Sequence, residues 1–154
     1  MIRIAFFLIF LSGCASTAYR MPDGEKIPSG VDTIVLASNK TALEFSKELK
    51  QRVVQKDFYF LHTDEDTKSF LTDFYDVTKR SSVQIRVYVK DVPNGSNAVI
   101  NGRFIDLKKL KKYPYWRSQS IEYQGKGKAS RHAWEALHNY AVGSNKWKHT
   151  FLKR

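Results

Sequence analysis

The stretch from Val83 to Lys90 constrains the fold most strongly, because apolar and polar residues alternate along it with a period of two. This alternation is typical of a β-strand that has one packed face and one solvated face. A second strand-like run extends from Ala98 to Leu107, beyond a stretch that contains Asn94-Gly95. Asparagine and glycine tolerate the positive φ angles of a tight turn. The sequence therefore predicts an antiparallel hairpin in the middle of the chain.

Further elements are predicted on both sides of this hairpin. The first helix opens with Thr41-Ala42-Leu43-Glu44, which has the spacing of a capping box. Near the C-terminus, the alternation of Trp147, His149 and Phe151 favours an edge strand over an extension of a basic surface. The remaining strands are expected at residues 31–37, 58–62 and 119–124, and the helices at residues 41–56, 66–77 and 130–142.

This mixture of strands and helices predicts the α+β class. We expect one mostly antiparallel sheet of about four to five strands, with two or three helices packed on one face. The chain has 154 residues, which suits a single domain of this kind preceded by a leader. The domain is expected to span residues 31–154.

Composition limits both the stabilising interactions and the partners. The chain has one cysteine, so an intramolecular disulfide and a thiolate metal cluster are excluded. Hydrophobic residues make up 42% of the sequence, which is enough for a packed core. The net charge of +11 predicts attraction to polyanions, which include nucleic acid, anionic lipid, lipopolysaccharide phosphate and acidic proteins. Charge alone does not choose among these partners.

The first thirteen residues have the plan of an export signal. Arg3 precedes an unbroken apolar run from Ile4 to Leu11, and small residues follow it. The run is much shorter than the roughly 20 residues that a membrane-spanning helix needs. The sequence therefore predicts a leader, residues 1–13, that is removed after export.

The end of this leader, Leu11-Ser12-Gly13-Cys14, resembles the lipobox of bacterial lipoproteins. The resemblance covers only the first fourteen residues. It implies that Cys14 receives a diacylglycerol, that cleavage occurs before it and that the new amine is acylated. Ala15 stands where an aspartate often signals retention in the inner membrane, so the resemblance favours the periplasmic side of the outer membrane in a cell with two membranes. An ordinary leader with an incidental cysteine is the alternative.

Residues 14–30 are expected to form the lipidated N-terminus and a flexible tether. The stretch is small and polar, and it contains Pro22, Gly24, Pro28 and Gly30 without a helical or alternating apolar pattern. As a flexible chain it would span roughly 20 to 25 Å. The domain could therefore stand clear of the bilayer.

Five cations and three aromatic residues are interleaved between Lys108 and Arg117, and we call this stretch the basic–aromatic segment. The cations can meet phosphate, while tyrosine and tryptophan can lie at a headgroup boundary. The alternative is a solvated loop whose aromatic rings fold back over the edge of the sheet. Nucleic acid is disfavoured as a partner, because an exported protein rarely meets it. The candidate contact residues are Lys108, Lys109, Lys111, Lys112, Tyr113, Tyr115, Trp116 and Arg117.

The motifs that usually indicate catalysis or metal binding are incomplete. Gly125-Lys126-Gly127-Lys128 lacks the spacing of a phosphate-binding loop, and Asp64-Glu65-Asp66 lacks the further ligands of a calcium loop. The four histidines do not form a zinc motif. We therefore expect no metal and no cofactor other than the covalent lipid. The predicted function is a non-enzymatic binding or scaffold module that contacts an envelope protein or an anionic glycolipid, and the alternative is a small envelope hydrolase whose site forms only in three dimensions.

Overall fold

The computed structural model describes residues 27–125, 127–143 and 147–154. Within these ranges the chain forms eight strands and three helices. The strands are β1 (Thr33–Ser38), β2 (Phe60–Asp64), β3 (Ser69–Thr72), β4 (Tyr75–Thr78), β5 (Ser81–Val92), β6 (Gly95–Asp106), β7 (Gln119–Ser120) and β8 (Lys148–Leu152). The helices are α1 (Ala42–Val54), α2 (Leu107–Lys112) and α3 (Lys128–Ala141).

The strands form one antiparallel sheet in the order β2-β3-β5-β6-β1-β8. Strand β4 also pairs with β5, and β7 also pairs with β6. The prediction of four to five strands was wrong, since the described residues hold eight strands and three helices. The packing of the helices also differs, because α2 is a single short helix that buries none of its residues.

The central hairpin is confirmed and is longer and tighter than expected. Strands β5 and β6 each have 12 residues, and Val92 pairs with Gly95 beside the turn. Gly95 has a φ of +135°, a region that L side chains rarely adopt. The apolar positions of β5 lie opposite Phe104, Gly102, Ile100 and Ala98 of β6. The hairpin therefore presents one continuous apolar face.

Helices α1 and α3 cover this apolar face. Phe45 and Leu49 of α1 and Leu137 of α3 are completely buried. The Tyr140 hydroxyl of α3 donates a 2.9 Å hydrogen bond to the Leu49 carbonyl of α1. In return, Arg52 of α1 donates to the Tyr140 carbonyl at 3.1 Å, near the carbonyl end of α3. The two helices are therefore held to each other as well as to the sheet.

Helix α1 begins as the sequence predicted. The Thr41 hydroxyl accepts a hydrogen bond from the Glu44 amide, and the Glu44 carboxylate accepts one from the Thr41 amide. These reciprocal bonds form a capping box. The hydrogen bond from the Thr41 side chain holds the pKa of the Glu44 carboxyl below its ordinary value. The cap satisfies two backbone amides that a helix start otherwise leaves without partners.

The helix predicted at residues 66–77 is absent, and strands β3 and β4 lie there instead. The Asp64 carboxylate accepts hydrogen bonds from the Asp66 and Thr67 amides, which turns the chain at this point. The Thr67 backbone amide is the main reason why the pKa of Asp64 lies below its ordinary value. Lys68 follows with a φ of +49°, and Ser69 then pairs back onto Asp64. The acidic cluster therefore makes a hairpin turn and not the start of a helix.

Two further predicted strands, in the C-terminal part of the chain, are present. The expected strand at 119–124 is reduced to Gln119–Ser120, although Ile121 and Tyr123 beyond it are both buried. The expected edge strand near the C-terminus is confirmed as β8, which pairs with β1. At the other end of the described chain, Ile27 is buried in the core.

Candidate functional site

The face of the sheet opposite α1 and α3 presents polar and basic side chains. Along β5 it carries Gln84, Arg86, Tyr88 and Lys90, the positions that alternate with the buried valines and isoleucine. On β6 it carries Asn101 and Arg103, which lie opposite Arg86 and Gln84. We call this surface the open face. The sequence alternation correctly predicted that these β5 residues would be solvated.

The basic–aromatic segment lies at the end of β6. The Asp106 carboxylate accepts hydrogen bonds from the Lys108 and Lys109 amides, and it thereby caps the start of α2. The four lysines of α2 are all exposed. Tyr115, beyond the helix, is 94% exposed. The segment therefore projects its charges and one aromatic ring into solvent.

Two cation–π contacts organise the segment internally. The Lys109 ammonium lies 4.4 Å from the centre of the Trp116 ring, and the Lys112 ammonium lies 5.2 Å from the Tyr113 ring. The Trp116 amide also donates to the Tyr113 carbonyl at 2.9 Å. Trp116 is partly buried, whereas Tyr113 is half exposed. The structure thus brings four of the predicted contact residues into pairs, and it leaves Tyr115 extended from the surface.

A groove of about 280 Å³ lies on the open face. The groove lies where the partner of β6 changes from β1 to β7. Strand β1 begins at this point, and Ser120 of β7 pairs with Arg103 of β6. The groove is lined by Asp32, Thr33, Leu71, Gln84, Arg86, Asn101, Gly102, Arg103, Ser120 and Arg154.

Arg86 and Arg103, on neighbouring strands, both line this groove. Arg86 is paired with Asn101, and Arg103 follows two residues later on the same strand, so the two arginines are diagonal neighbours on one face. Diagonal pairs of this kind are about 7 to 8 Å apart at the backbone, within reach of long side chains. Within the described ranges, no carboxylate lies within ion-pair distance of either guanidinium. The groove therefore places two exposed positive charges close together without compensation by an ion pair.

Asp32 also lines the groove and contributes a negative charge. Its Oδ1 atom accepts a 2.9 Å hydrogen bond from the Thr33 hydroxyl and a 3.3 Å bond from the Arg154 amide. These contacts fix the carboxylate at the start of β1. Among the described side chains that line the groove, it is the one carboxylate.

The groove and the basic–aromatic segment adjoin each other. Arg103 donates a 3.1 Å hydrogen bond to the Ser118 carbonyl, and Ser118 directly follows Arg117 of the segment. One continuous basic surface therefore runs from α2 to the middle of the open face. The sequence predicted the segment as a contact surface and did not predict the groove. The signal that could have found it was the pair of arginines at solvated positions of neighbouring strands.

Several other expectations concern residues or groups outside this surface. Cys14, the predicted lipidation site, lies outside the described residues. Across the described part of the chain, no three histidine, cysteine, aspartate or glutamate residues are grouped so that they could hold a metal ion. None of the helices found there is long and apolar enough to cross a membrane.

No protein-family model matches the chain, and no curated protein matches its sequence significantly. The function is therefore inferred from the residues of this chain alone.

Proposed function

We propose that the chain is a lipid-anchored, non-enzymatic binding module of a bacterial cell envelope. It is attached through Cys14 to the outer membrane and faces the periplasm. Its basic–aromatic segment contacts an anionic glycolipid of the envelope. The covalent lipid is the one cofactor that the proposal requires.

The observation that carries the proposal is the exposure of the basic–aromatic segment. Four lysines in a helix of six residues project into solvent, and Tyr115 extends beside them. Lysines attract the phosphates of a charged surface, and amphipathic aromatic rings favour the boundary between headgroups and water. This pairing of charge with exposed aromatic surface favours an anionic lipid over a freely diffusing ion.

The anchor follows from the lipobox-like sequence Leu11-Ser12-Gly13-Cys14. Each buried methylene of an acyl chain contributes about 0.8 kcal/mol, so several chains hold a protein stably at a bilayer. A tethered domain meets the membrane surface repeatedly at a high local concentration. Weak contacts of the segment with headgroups would then be sufficient for occupancy.

Replacement of Cys14 tests the anchor. In cells that express the full chain, we expect Cys14→Ser to prevent lipidation, whereas Ser12→Ala keeps a small residue beside the cleavage site and should preserve it. Mass spectrometry of the unsubstituted protein should find a chain that begins at Cys14 and carries diacylglycerol and an acyl group. A bare Cys14 sulfur, or residues 1–13 still attached, would contradict the proposed anchor.

Removal of charge from the segment tests the contact surface. We expect the combined change of Lys108, Lys109, Lys111 and Lys112 to glutamine to weaken binding to lipopolysaccharide aggregates by about 100- to 1,000-fold, since each lysine near an anionic surface contributes about 1 kcal/mol. The matched control changes the exposed residues Lys47, Lys56, Lys79 and Lys128 to glutamine, which removes the same charge elsewhere.

The control should lose much less affinity, and binding of the unsubstituted protein should weaken with salt. Equal losses in the two variants would show general attraction by net charge and would refute a specific role for the segment. Crosslinking of the segment to an envelope protein in place of glycolipid would also overturn the proposed partner.

A further inference from the structure

The groove on the open face is a different site from the basic–aromatic segment, and its chemistry is more specific. We propose that it binds a phosphorylated polyol or sugar, with Arg86 and Arg103 on the phosphate and Asp32 on a hydroxyl group. The proposal depends on the geometry of the sheet and does not require the lipid anchor.

The two arginines match a phosphate because of their arrangement on neighbouring strands. A guanidinium presents its donors in a rigid fork that fits two oxygens of one oxyanion. A carboxylate offers one such edge, whereas a phosphate offers oxygens in several directions and can meet two forks at once. Arg86 and Arg103 extend from diagonal positions of the same face, so one phosphate between them can be approached from both sides.

The proximity of two positive charges also favours an anionic ligand. Arg86 and Arg103 are diagonal and not directly opposite, and two like charges at this separation still repel each other through space. In the described structure, Arg103 is bonded to the Ser118 carbonyl, which carries no full charge, and neither arginine has a carboxylate partner. A bound dianion would remove this repulsion. The neutral groups of Asn101, Gln84 and Ser120 lie beside the arginines in the cross-strand register and can bond the remaining oxygens.

The carboxylate of Asp32 explains why the ligand should carry hydroxyl groups. One of its oxygens is occupied by Thr33 and the Arg154 amide, and the other has no hydrogen-bond partner among the described residues. A carboxylate is a pure acceptor, so it suits a ligand O–H and repels a second phosphate. Among the described residues, the groove thus combines two arginines with a carboxylate held in place by hydrogen bonds, which favours a phosphate joined to a hydroxylated carbon skeleton.

The size of the groove sets the scale of the ligand. Its volume of about 280 Å³ lies just below the range of about 300 to 1,000 Å³ that is typical of drug-sized ligands. A glycerol phosphate, a sugar phosphate or the polyol headgroup of a phospholipid fits this scale. These ligands share a phosphate joined to a hydroxylated carbon skeleton. The free monoesters are dianions with three terminal oxygens, whereas the phospholipid diester is a monoanion with two, so the arginines should bind the monoesters more strongly.

The test uses the full chain, with any lipid it carries, kept in detergent micelles. Calorimetric titration with sn-glycerol 3-phosphate should show saturable binding. The double variant Arg86→Gln/Arg103→Gln should lose about 10- to 100-fold in affinity, the loss expected when charge-assisted hydrogen bonds are removed. The control Lys90→Gln/Arg131→Gln removes two exposed positive charges outside the groove and should bind as the unsubstituted protein does.

Two further variants separate the parts of the site. Arg86→Lys/Arg103→Lys keeps both charges and loses the forks, so its affinity should fall between those of the unsubstituted protein and the glutamine variant. Asp32→Asn should weaken binding of glycerol phosphate and leave binding of inorganic phosphate nearly unchanged. Melting curves without ligand establish that each variant is folded.

The source of the ligand is decided in the same micelles. A rise in melting temperature on addition of phosphatidylglycerol, absent with phosphatidylcholine and lost in the glutamine variant, assigns the site to a lipid headgroup. A response to glycerol phosphate alone assigns it to a free compound. The proposal is overturned if neither glycerol phosphate nor phosphatidylglycerol binds saturably. It is also overturned if the Lys90/Arg131 control loses as much affinity as the Arg86/Arg103 glutamine variant. Neither result depends on whether Cys14 is lipidated.

Discussion

Replacement of Phe45 by alanine should lower the free energy of unfolding by about 3 to 5 kcal/mol, the usual cost of truncating a buried aromatic residue. The Phe45 side chain is completely buried between α1 and the sheet, and its ring meets that of Trp147 edge-to-face at 4.9 Å. Truncation would leave a cavity and remove this aromatic contact. Urea denaturation followed by circular dichroism measures the effect.

Leu43 provides the matched control for this substitution. It lies on the same helix, two residues before Phe45, and is 43% exposed. Leu43→Ala removes a large apolar side chain without opening a cavity, so its cost should lie within about 1 kcal/mol. Similar losses at the two positions would mean that α1 does not pack on the sheet through the face that contains Phe45.

The elements that the sequence predicted correctly are those whose signals are local. The alternation from Val83 to Lys90 and the reciprocal cap of Thr41 and Glu44 each specify an element from neighbouring residues alone. The hairpin and α1 followed from these patterns. Their bounds depended on pairing partners, which is why the hairpin turn was placed too broadly.

The failed predictions concern short strands. Phe70, Phe74 and Val77 are four and three residues apart, which is also the spacing of a helical face. The strand at this position is stabilised by contacts with residues that are distant in the sequence. Phe70 is buried opposite Val87, and the Thr72 hydroxyl accepts a hydrogen bond from the Ile85 amide. Strands of two to five residues, such as β7 and β3, depend on neighbours already in the sheet. The strand count was therefore beyond local sequence reasoning.

Of the candidate site, the part that is contiguous in the sequence was predicted and the part that depends on strand pairing was not. The basic–aromatic segment is contiguous in the sequence, so its charge was visible at once. The groove depends on which strand lies beside β6, because Ser120 reaches Arg103 only where β7 replaces β1 along that edge. The individual solvated positions could be predicted, and their convergence could not.

Gly95 lies beside the turn of the central hairpin, against the end of β1. Its replacement by alanine should lower the free energy of unfolding by about 2 to 6 kcal/mol through backbone strain and overpacking. A Cβ atom at this position would lie 2.1 Å from the Ser38 carbonyl oxygen and 2.8 Å from the Asn39 Cα atom. Both are backbone atoms, so a side-chain rotation cannot relieve the clash. The φ of +135° adds strain for any residue other than glycine.

Gly127→Ala separates these two causes. Gly127 also has a positive φ, +94°, but a Cβ atom there has no neighbour within 4 Å. Its substitution should cost about 1 to 3 kcal/mol from strain alone. Urea denaturation of both variants should therefore show the larger loss for Gly95→Ala. A loss no greater than that of Gly127→Ala would mean that the close approach of Gly95 to the end of β1 does not contribute to stability.

The folded fraction of Gly95→Ala should still bind glycerol phosphate normally if the groove is the site proposed here. Arg86 and Asn101 pair five register positions from the Asp91–Ser96 pair beside the turn, and a strand rises about 3.3 Å per residue. A local shift at the turn would then leave the arginines in place. A slip of the whole hairpin by one residue would instead reverse the faces of β6 relative to β5 and remove Arg103 from the groove. Stability and affinity measured on the same variant therefore distinguish a strained turn from a lost register.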